Sequence, residues 1–131
     1  MVFSLNISYH RVMVWISMID QATFDFIKEK YGYYSSWAVW VDATEKLKDN
    51  IGDLRIFDPT FNSGLLQQLN PNVILVGLNV SRGCIKVPLG NFHDPRPEGM
   101  DFKLRYALKD SPYWGAYITD IIKDFDELNS G

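Results

Sequence analysis

The stretch that decides the fold is Pro71-Asn72-Val73-Ile74-Leu75-Val76-Gly77-Leu78-Asn79-Val80-Ser81-Arg82-Gly83. Its centre is a continuous run of branched apolar residues, and it ends in a polar loop. A run of this kind predicts a strand that is buried on both faces of a parallel sheet. Ligands of open parallel sheets bind beyond the carboxyl ends of the strands. We therefore expect Asn79 and Ser81 to lie where a functional site would form.

A second buried strand is predicted near the end of the chain, after the turn around Tyr113 and Trp114, and it finishes near Thr119 and Asp120. Between the two strands, residues 100–109 have the apolar periodicity of a helix. Because a strand, a helix and a further strand in this order favour parallel pairing, we predict that residues 73–78 and 116–121 are parallel neighbours. Asn79 and Asp120 should then lie at the same edge of the sheet.

The first part of the chain carries weaker signals. Asp20 is a predicted cap for a helix that Gly32 ends, and residues 35–41 are strand-like. Residues 54–57 are predicted to be extended, and a short amphipathic helix follows at residues 65–69. The long segment 81–99 is rich in proline and glycine and is predicted to be a functional loop. These elements together predict an α/β domain with a short parallel sheet and helices in outer layers.

Composition limits the class of protein. The chain has 131 residues, of which 47% are hydrophobic, and this is enough for one domain with its own core. A net charge of -3 provides no general basic field to hold nucleic acid, so any such contact has to be local. Cys84 is the only cysteine, which excludes an internal disulfide and multi-cysteine metal sites. We expect a cytoplasmic protein without metal or other cofactor.

The N-terminal segment needs a separate interpretation. Residues 12–19 are apolar but too few to span a bilayer. They also lack the charged start and the small-residue cleavage site of a signal peptide. We divide the chain into an N-terminal extension, residues 1–19, which is either a strand or helix packed on the domain or a poorly ordered segment, and a domain of residues 20–131. We expect no membrane association.

Residues 71–123 carry a family resemblance. The motif Gly77-Leu78-Asn79-Val80-Ser81, the loop with Asn91-Phe92-His93, the helix with a basic face and the run 117–123 resemble the first half of the uracil-DNA glycosylase superfamily. The likeness is closest to the mismatch-specific uracil/thymine branch. Members of this family are DNA-repair hydrolases that flip a base into a pocket and cleave its N-glycosidic bond. The resemblance implies the three-layer αβα fold of that family.

The resemblance also implies roles for individual residues. Asn79 would orient the hydrolytic water, and Phe92 would stack on the flipped base, with His93 beside it. Asp120 and Ser81 would complete the base-binding site. Asparagine cannot deprotonate water at neutral pH, so its contribution would be orientation. The nucleic-acid backbone would be contacted by a basic groove made of Lys86, Arg96, Lys103 and Arg105.

The family's second half, with two further strands and a later histidine motif, has no counterpart before Gly131. We therefore expect a domain that is truncated at its C-terminus and has weak or no activity on single-stranded or mismatched DNA. Its last strand is predicted to leave an unpaired apolar edge, which would either promote self-association or be covered by residues 12–19.

A second function remains open at this stage. The same strand ends fit a non-catalytic α/β module that binds a small ligand, a nucleotide or a protein partner. A basic groove beside Asn79 would favour the glycosylase, whereas a neutral or acidic rim would favour the binding module.

Overall fold

The computed structural model describes residues 2–9, 12–81 and 87–127, with side chains described for residues 18–78 and 87–121. The chain begins with a hairpin and continues with short helices that alternate with three further strands. The elements are β1 (Val2–Tyr9), β2 (Val12–Ile19), α1 (Gln21–Tyr31), β3 (Ser35–Trp37), a 3-10 turn (Leu54–Phe57), α2 (Leu65–Gln68), β4 (Asn70–Ser81), α3 (Phe102–Leu108) and β5 (Ala116–Glu127).

The main sheet has the strand order β3-β5-β4. β4 and β5 are parallel, and Gly77 lies opposite Asp120. β3 pairs with β5 in the antiparallel direction, so the sheet is mixed. The predicted parallel pairing of residues 73–78 with residues 116–121 is confirmed.

Helices pack on both faces of this sheet. On one face, Phe24 and Ile27 of α1 belong to the same core cluster as Trp37 and Tyr117. The opposite face carries a second cluster, which joins α3 to both parallel strands through Leu104, Leu108, Ile118, Val73 and Leu75. The molecule is therefore an α/β domain, as predicted.

The start of α1 shows why this helix could be predicted. The carboxylate of Asp20 accepts a hydrogen bond of 2.8 Å from the Thr23 amide and satisfies one of the free donors in the first turn. Hydrogen bonds from the Thr23 hydroxyl and from this amide lower the pKa of Asp20 to about 2. The Gly32 amide donates to the Lys28 carbonyl and ends the helix there.

Two predicted extended segments differ in the structure. Residues 54–57 form a 3-10 turn because the Asp53 carboxylate accepts from the Arg55 amide and caps it. The predicted strand 35–41 is regular only over Ser35–Trp37. After it the Val39 amide donates to the Trp37 carbonyl, and this turn takes the chain out of the sheet.

Strand β4 is not buried on both faces as predicted. Its side chains alternate, and Ile74, Val76 and Leu78 are 61%, 57% and 67% exposed. The predicted free edge also belongs to a different strand, because β5 lies at the centre of the sheet and β4 lies at its side. The physical reason is the antiparallel pairing of β3, which occupies the outer side of β5 at Tyr117–Thr119.

The N-terminal extension forms an antiparallel hairpin of β1 and β2, in which Val2 pairs with Ile19. β2 contacts both β4 and α2, so residues 12–19 are a strand packed on the domain. None of the helices in the described ranges is long and apolar enough to cross a membrane.

Candidate functional site

The register of β4 and β5 brings the candidate residues together. Gly77 lies opposite Asp120, and Asn79 lies two residues further along β4, opposite Ile122. Both strands continue past these positions, to Ser81 and Glu127. Asn79 and Asp120 therefore lie within paired strands, whereas the sequence had placed them at the strand ends.

The loop before α3 folds onto this part of the sheet. The Asn91 side-chain amide donates a hydrogen bond of 2.8 Å to the Asp120 carboxylate. The two side chains are only 3% and 2% exposed. A hydrogen bond from an amide to a buried carboxylate is stronger than one between neutral groups. This contact fixes the loop that carries Phe92 against the centre of the sheet.

Gly77 provides the space for this contact. A Cβ atom at position 77 would lie 2.3 Å from Asp120 Oδ1 and 3.4 Å from the Phe92 ring. Any side chain larger than hydrogen would therefore displace the carboxylate. The glycine in the middle of an apolar run was the sequence signal for a close approach at this position.

Phe92 has a strained backbone conformation, with φ at +63°. A bulky residue rarely adopts the left-handed region, and such strain persists only where the surroundings hold it. The Trp40 indole N–H donates a hydrogen bond of 3.0 Å to the Phe92 carbonyl, and the Phe92 amide donates to the Asn91 side chain. The ring itself is partly exposed. Two hydrogen bonds thus hold an aromatic ring beside the Asp120 carboxylate.

His93 is buried in the core, at 3% exposure. Its Nδ1 lies 2.9 Å from the Asn91 carbonyl and its Nε2 lies 3.0 Å from the Val39 carbonyl. Its ring stacks on Trp40 at 5.3 Å. Burial lowers the pKa of His93 below its ordinary value of 6.5. These contacts give His93 a packing role, and its predicted place beside the bound base is not supported by the geometry.

Two residues of the predicted basic groove, Arg96 and Arg105, make contacts within the domain. The buried Arg105 guanidinium donates to the carbonyls of Val41, Leu47 and Asp49, which ties α3 to the segment before the 3-10 turn. Arg96 forms an ion pair of 2.7 Å with Asp94. Both arginines are therefore engaged within the domain, and Arg105 lies below the surface that a phosphate could reach.

The structure gives less detail for the remaining predicted site residues. Lys103 is exposed on α3. Lys86 lies outside the described residues, and for Asn79 and Ser81 only the strand positions are described. The structure accordingly brings together Gly77, Asn91, Phe92 and Asp120.

The surroundings of this cluster are acidic. Burial raises the pKa of Asp101, and the charges of Asp94 and Asp120 raise it further. One Asp101 carboxylate oxygen accepts a hydrogen bond of 2.8 Å from the Asp94 amide. Over the residues with described side chains, no group of histidine, cysteine and acidic residues has a geometry that could hold a metal ion.

A large cavity lies at the opposite end of the parallel strands. Its volume is about 780 Å³, and its lining includes Trp40, Gln68 and Trp114. Gln68 and Trp114 precede the starts of β4 and β5, so this cavity opens at the amino ends of the strands. The sequence interpretation missed this cavity. The available signal was a pair of tryptophans, Trp40 within the predicted strand 35–41 and Trp114 in the turn before the second buried strand.

Comparison with known proteins finds no matching family model, curated protein or solved structure.

Proposed function

We propose that the domain recognises a nucleobase at the cluster of Gly77, Asn91, Phe92 and Asp120, in the manner of a uracil-DNA glycosylase. The observation that supports the proposal is the hydrogen bond between Asn91 and Asp120 beside the Phe92 ring, because it joins two segments that the resemblance assigns to one site. The proposal includes DNA as the partner and hydrolysis of the N-glycosidic bond as the reaction.

The chemistry of the cluster suits a pyrimidine. The Phe92 ring offers an aromatic face, and base-aromatic stacking contributes about 1–3 kcal/mol. The Asp120 carboxylate accepts hydrogen bonds only, so it matches the N3–H of uracil and repels the N3 lone pair of cytosine. Asn79, two residues beyond Gly77 on β4, is the candidate for orienting the attacking water near the sugar.

Access to Asp120 limits the reaction. The carboxylate is 2% exposed and already accepts the Asn91 hydrogen bond. A base reaches it only when the Phe92 loop moves, and the free energy of that movement reduces the affinity. This cost is a reason to expect slow release from this chain.

Release of uracil from DNA tests the proposal. Single-stranded and G·U-mismatched oligonucleotides are incubated with the chain, and abasic sites are detected by alkaline cleavage. We expect a low rate that Asn79→Ala abolishes, while Asn72→Ala, at an exposed position of the same strand, retains it. A rate that Asn79→Ala leaves unchanged would contradict the assignment of Asn79.

The engagement of Arg96 and Arg105 within the domain favours a second candidate function, a module that binds a free base or nucleotide without cleaving DNA. If the domain is such a module, it should bind free uracil and should release no uracil from DNA at any salt concentration. If the domain is a glycosylase, the rate of uracil release from DNA should decrease as the salt concentration increases.

We also propose that the protein is cytoplasmic and self-associates through the exposed side of β4. Contiguous exposed apolar surface promotes association between chains, and Ile74, Val76 and Leu78 provide such a surface on one face of β4. Sedimentation equilibrium should show dimers that Val76→Lys dissociates. A wild-type monomer at high concentration would refute this interface.

A further inference from the structure

We propose that the cavity at the amino ends of β4 and β5 binds an alkylammonium cation, such as choline or another methylated amine. The cavity has a volume of about 780 Å³, which is within the range of small-molecule sites. Its lining combines aromatic residues with three charged ones, Asp42, Lys109 and Asp110. It lies at the other end of the strands from the proposed base site, and its ligand does not depend on that site.

Aromatic residues form much of the apolar part of the lining. Trp40 and Trp114 have ring centroids 5.6 Å apart. Trp40 is 2% exposed and also stacks on His93, whereas Trp114 is only half-buried, so Trp114 is the more accessible indole. Phe61, the third aromatic residue of the lining, is 48% exposed. The faces of aromatic rings are negative and attract cations, and tryptophan attracts them most strongly.

The chain itself places a cation on one of these rings. The Arg55 guanidinium lies 4.6 Å from the centroid of the Phe61 ring. Two hydrogen bonds to the Asp53 carboxylate hold this guanidinium and balance its charge. The lining therefore already takes part in one cation–π contact, and Trp114 offers a second ring of the same kind.

The charged groups leave one negative charge without a partner. The Lys109 ammonium forms an ion pair with Asp42. The exposed Asp110 carboxylate forms no ion pair or hydrogen bond within the part of the chain whose side chains are described. The neighbouring Arg105 interacts with the charges of Asp42 and Asp49. Arg105 and Asp49 add one charge of each sign, so the net charge at the cavity remains -1.

A methylated ammonium is the ligand that uses both the rings and this charge. An anion would be repelled by Asp110, and a neutral molecule would gain nothing from it. A compact primary ammonium is strongly hydrated and loses that hydration when it meets an aromatic ring. Methyl groups on the nitrogen spread the charge over an apolar surface, and aromatic cages recognise such groups in other proteins.

Choline and 3,3-dimethyl-1-butanol test the proposal, because the alcohol has the same shape with a carbon atom in place of the charged nitrogen. Each compound is titrated at constant ionic strength, and binding is followed by NMR through the assigned indole proton of Trp114. From one cation–π contact and one exposed opposite charge, we expect choline to bind about three- to twentyfold more tightly than the alcohol. Added sodium chloride should reduce this preference, because it screens the exposed carboxylate.

Two charge variants locate the site. Asp110→Asn should lower the affinity for choline about two- to fivefold and leave that for the alcohol unchanged. Asparagine tolerates the left-handed conformation at this position, where φ is +60°, so the variant should fold. Glu29→Gln removes the same charge from an exposed position of α1 and should leave both affinities unchanged. Failure of choline to bind, equal affinity of the wild type for the two compounds, or equal effects of Asp110→Asn and Glu29→Gln would overturn the proposal.

Discussion

Replacement of Gly77 with alanine should strongly destabilise the domain. The new Cβ would lie 2.3 Å from Asp120 Oδ1, so the carboxylate has to move by about 1 Å to reach an ordinary contact distance. Such a movement breaks its 2.8 Å hydrogen bond with Asn91. Overpacking costs about 1–3 kcal/mol and the loss of a hydrogen bond to a buried carboxylate about 1.5–3 kcal/mol. We expect a loss of roughly 3–5 kcal/mol in the free energy of unfolding.

Equilibrium unfolding in urea measures this loss. Gly64→Ala is the matched control, because the nearest atoms to a Cβ there are 3.7 Å and 3.9 Å away. We expect it to lower the free energy of unfolding by no more than about 1 kcal/mol, because Gly64 is the N-cap of α2 and alanine is a poorer residue there.

A double-mutant cycle identifies the cause. When Asp120→Ala removes the carboxylate, Gly77→Ala should cost at least about 1.5 kcal/mol less than it does in the wild type. Equal stability of the Gly77 and Gly64 variants, or strict additivity with Asp120→Ala, would refute the close packing at this site.

Two further predictions concern buried polar groups. Because burial lowers the pKa of His93 in the folded state, the unfolded chain binds a proton first as the pH falls. The free energy of unfolding should then be highest above about pH 6.5 and decrease below it until the lowered pKa is reached. The melting temperature of His93→Gln should not show this decrease below about pH 6.5. If the melting temperatures of the variant and the wild type depend equally on pH, a buried neutral imidazole at His93 is contradicted. Arg105→Met removes the donor to three carbonyl groups and should lower the free energy of unfolding by roughly 2–4 kcal/mol. Lys103→Met, on the exposed side of the same helix, should have almost no effect in the same urea titration.

The parallel pairing of β4 and β5 was predictable because each strand contains a strong apolar run. The cap of α1 was predictable because Asp20 acts locally on Thr23. By contrast, the exposure of Ile74, Val76 and Leu78 depends on how far α1 reaches over the sheet. Apolar composition carries no information about that distance.

The roles of the loop and helix residues depended on tertiary contacts. Periodicity placed Arg105 away from the apolar face of α3, but distant carbonyls from the segment 41–49 bury it. The resemblance implied a place for His93 beside the bound base, whereas the structure buries its ring against Trp40. The resemblance implied no separate role for Asn91, although its contact with Asp120 organises the cluster. No local pattern reveals a partner 29 residues away.

Titration with uracil and 3-methyluracil tests the proposed base recognition most directly. The two compounds share the pyrimidine ring, but 3-methyluracil carries a methyl group in place of the N3–H, so it can neither donate to the Asp120 carboxylate nor approach it closely. In 15N-resolved NMR spectra, uracil should shift the Phe92 amide and the Asn91 side-chain amide, whereas 3-methyluracil should leave both unchanged. Equal shifts with both compounds, or uracil-induced shifts confined to the Trp40 and Trp114 indoles of the large cavity, would contradict base recognition at Asp120.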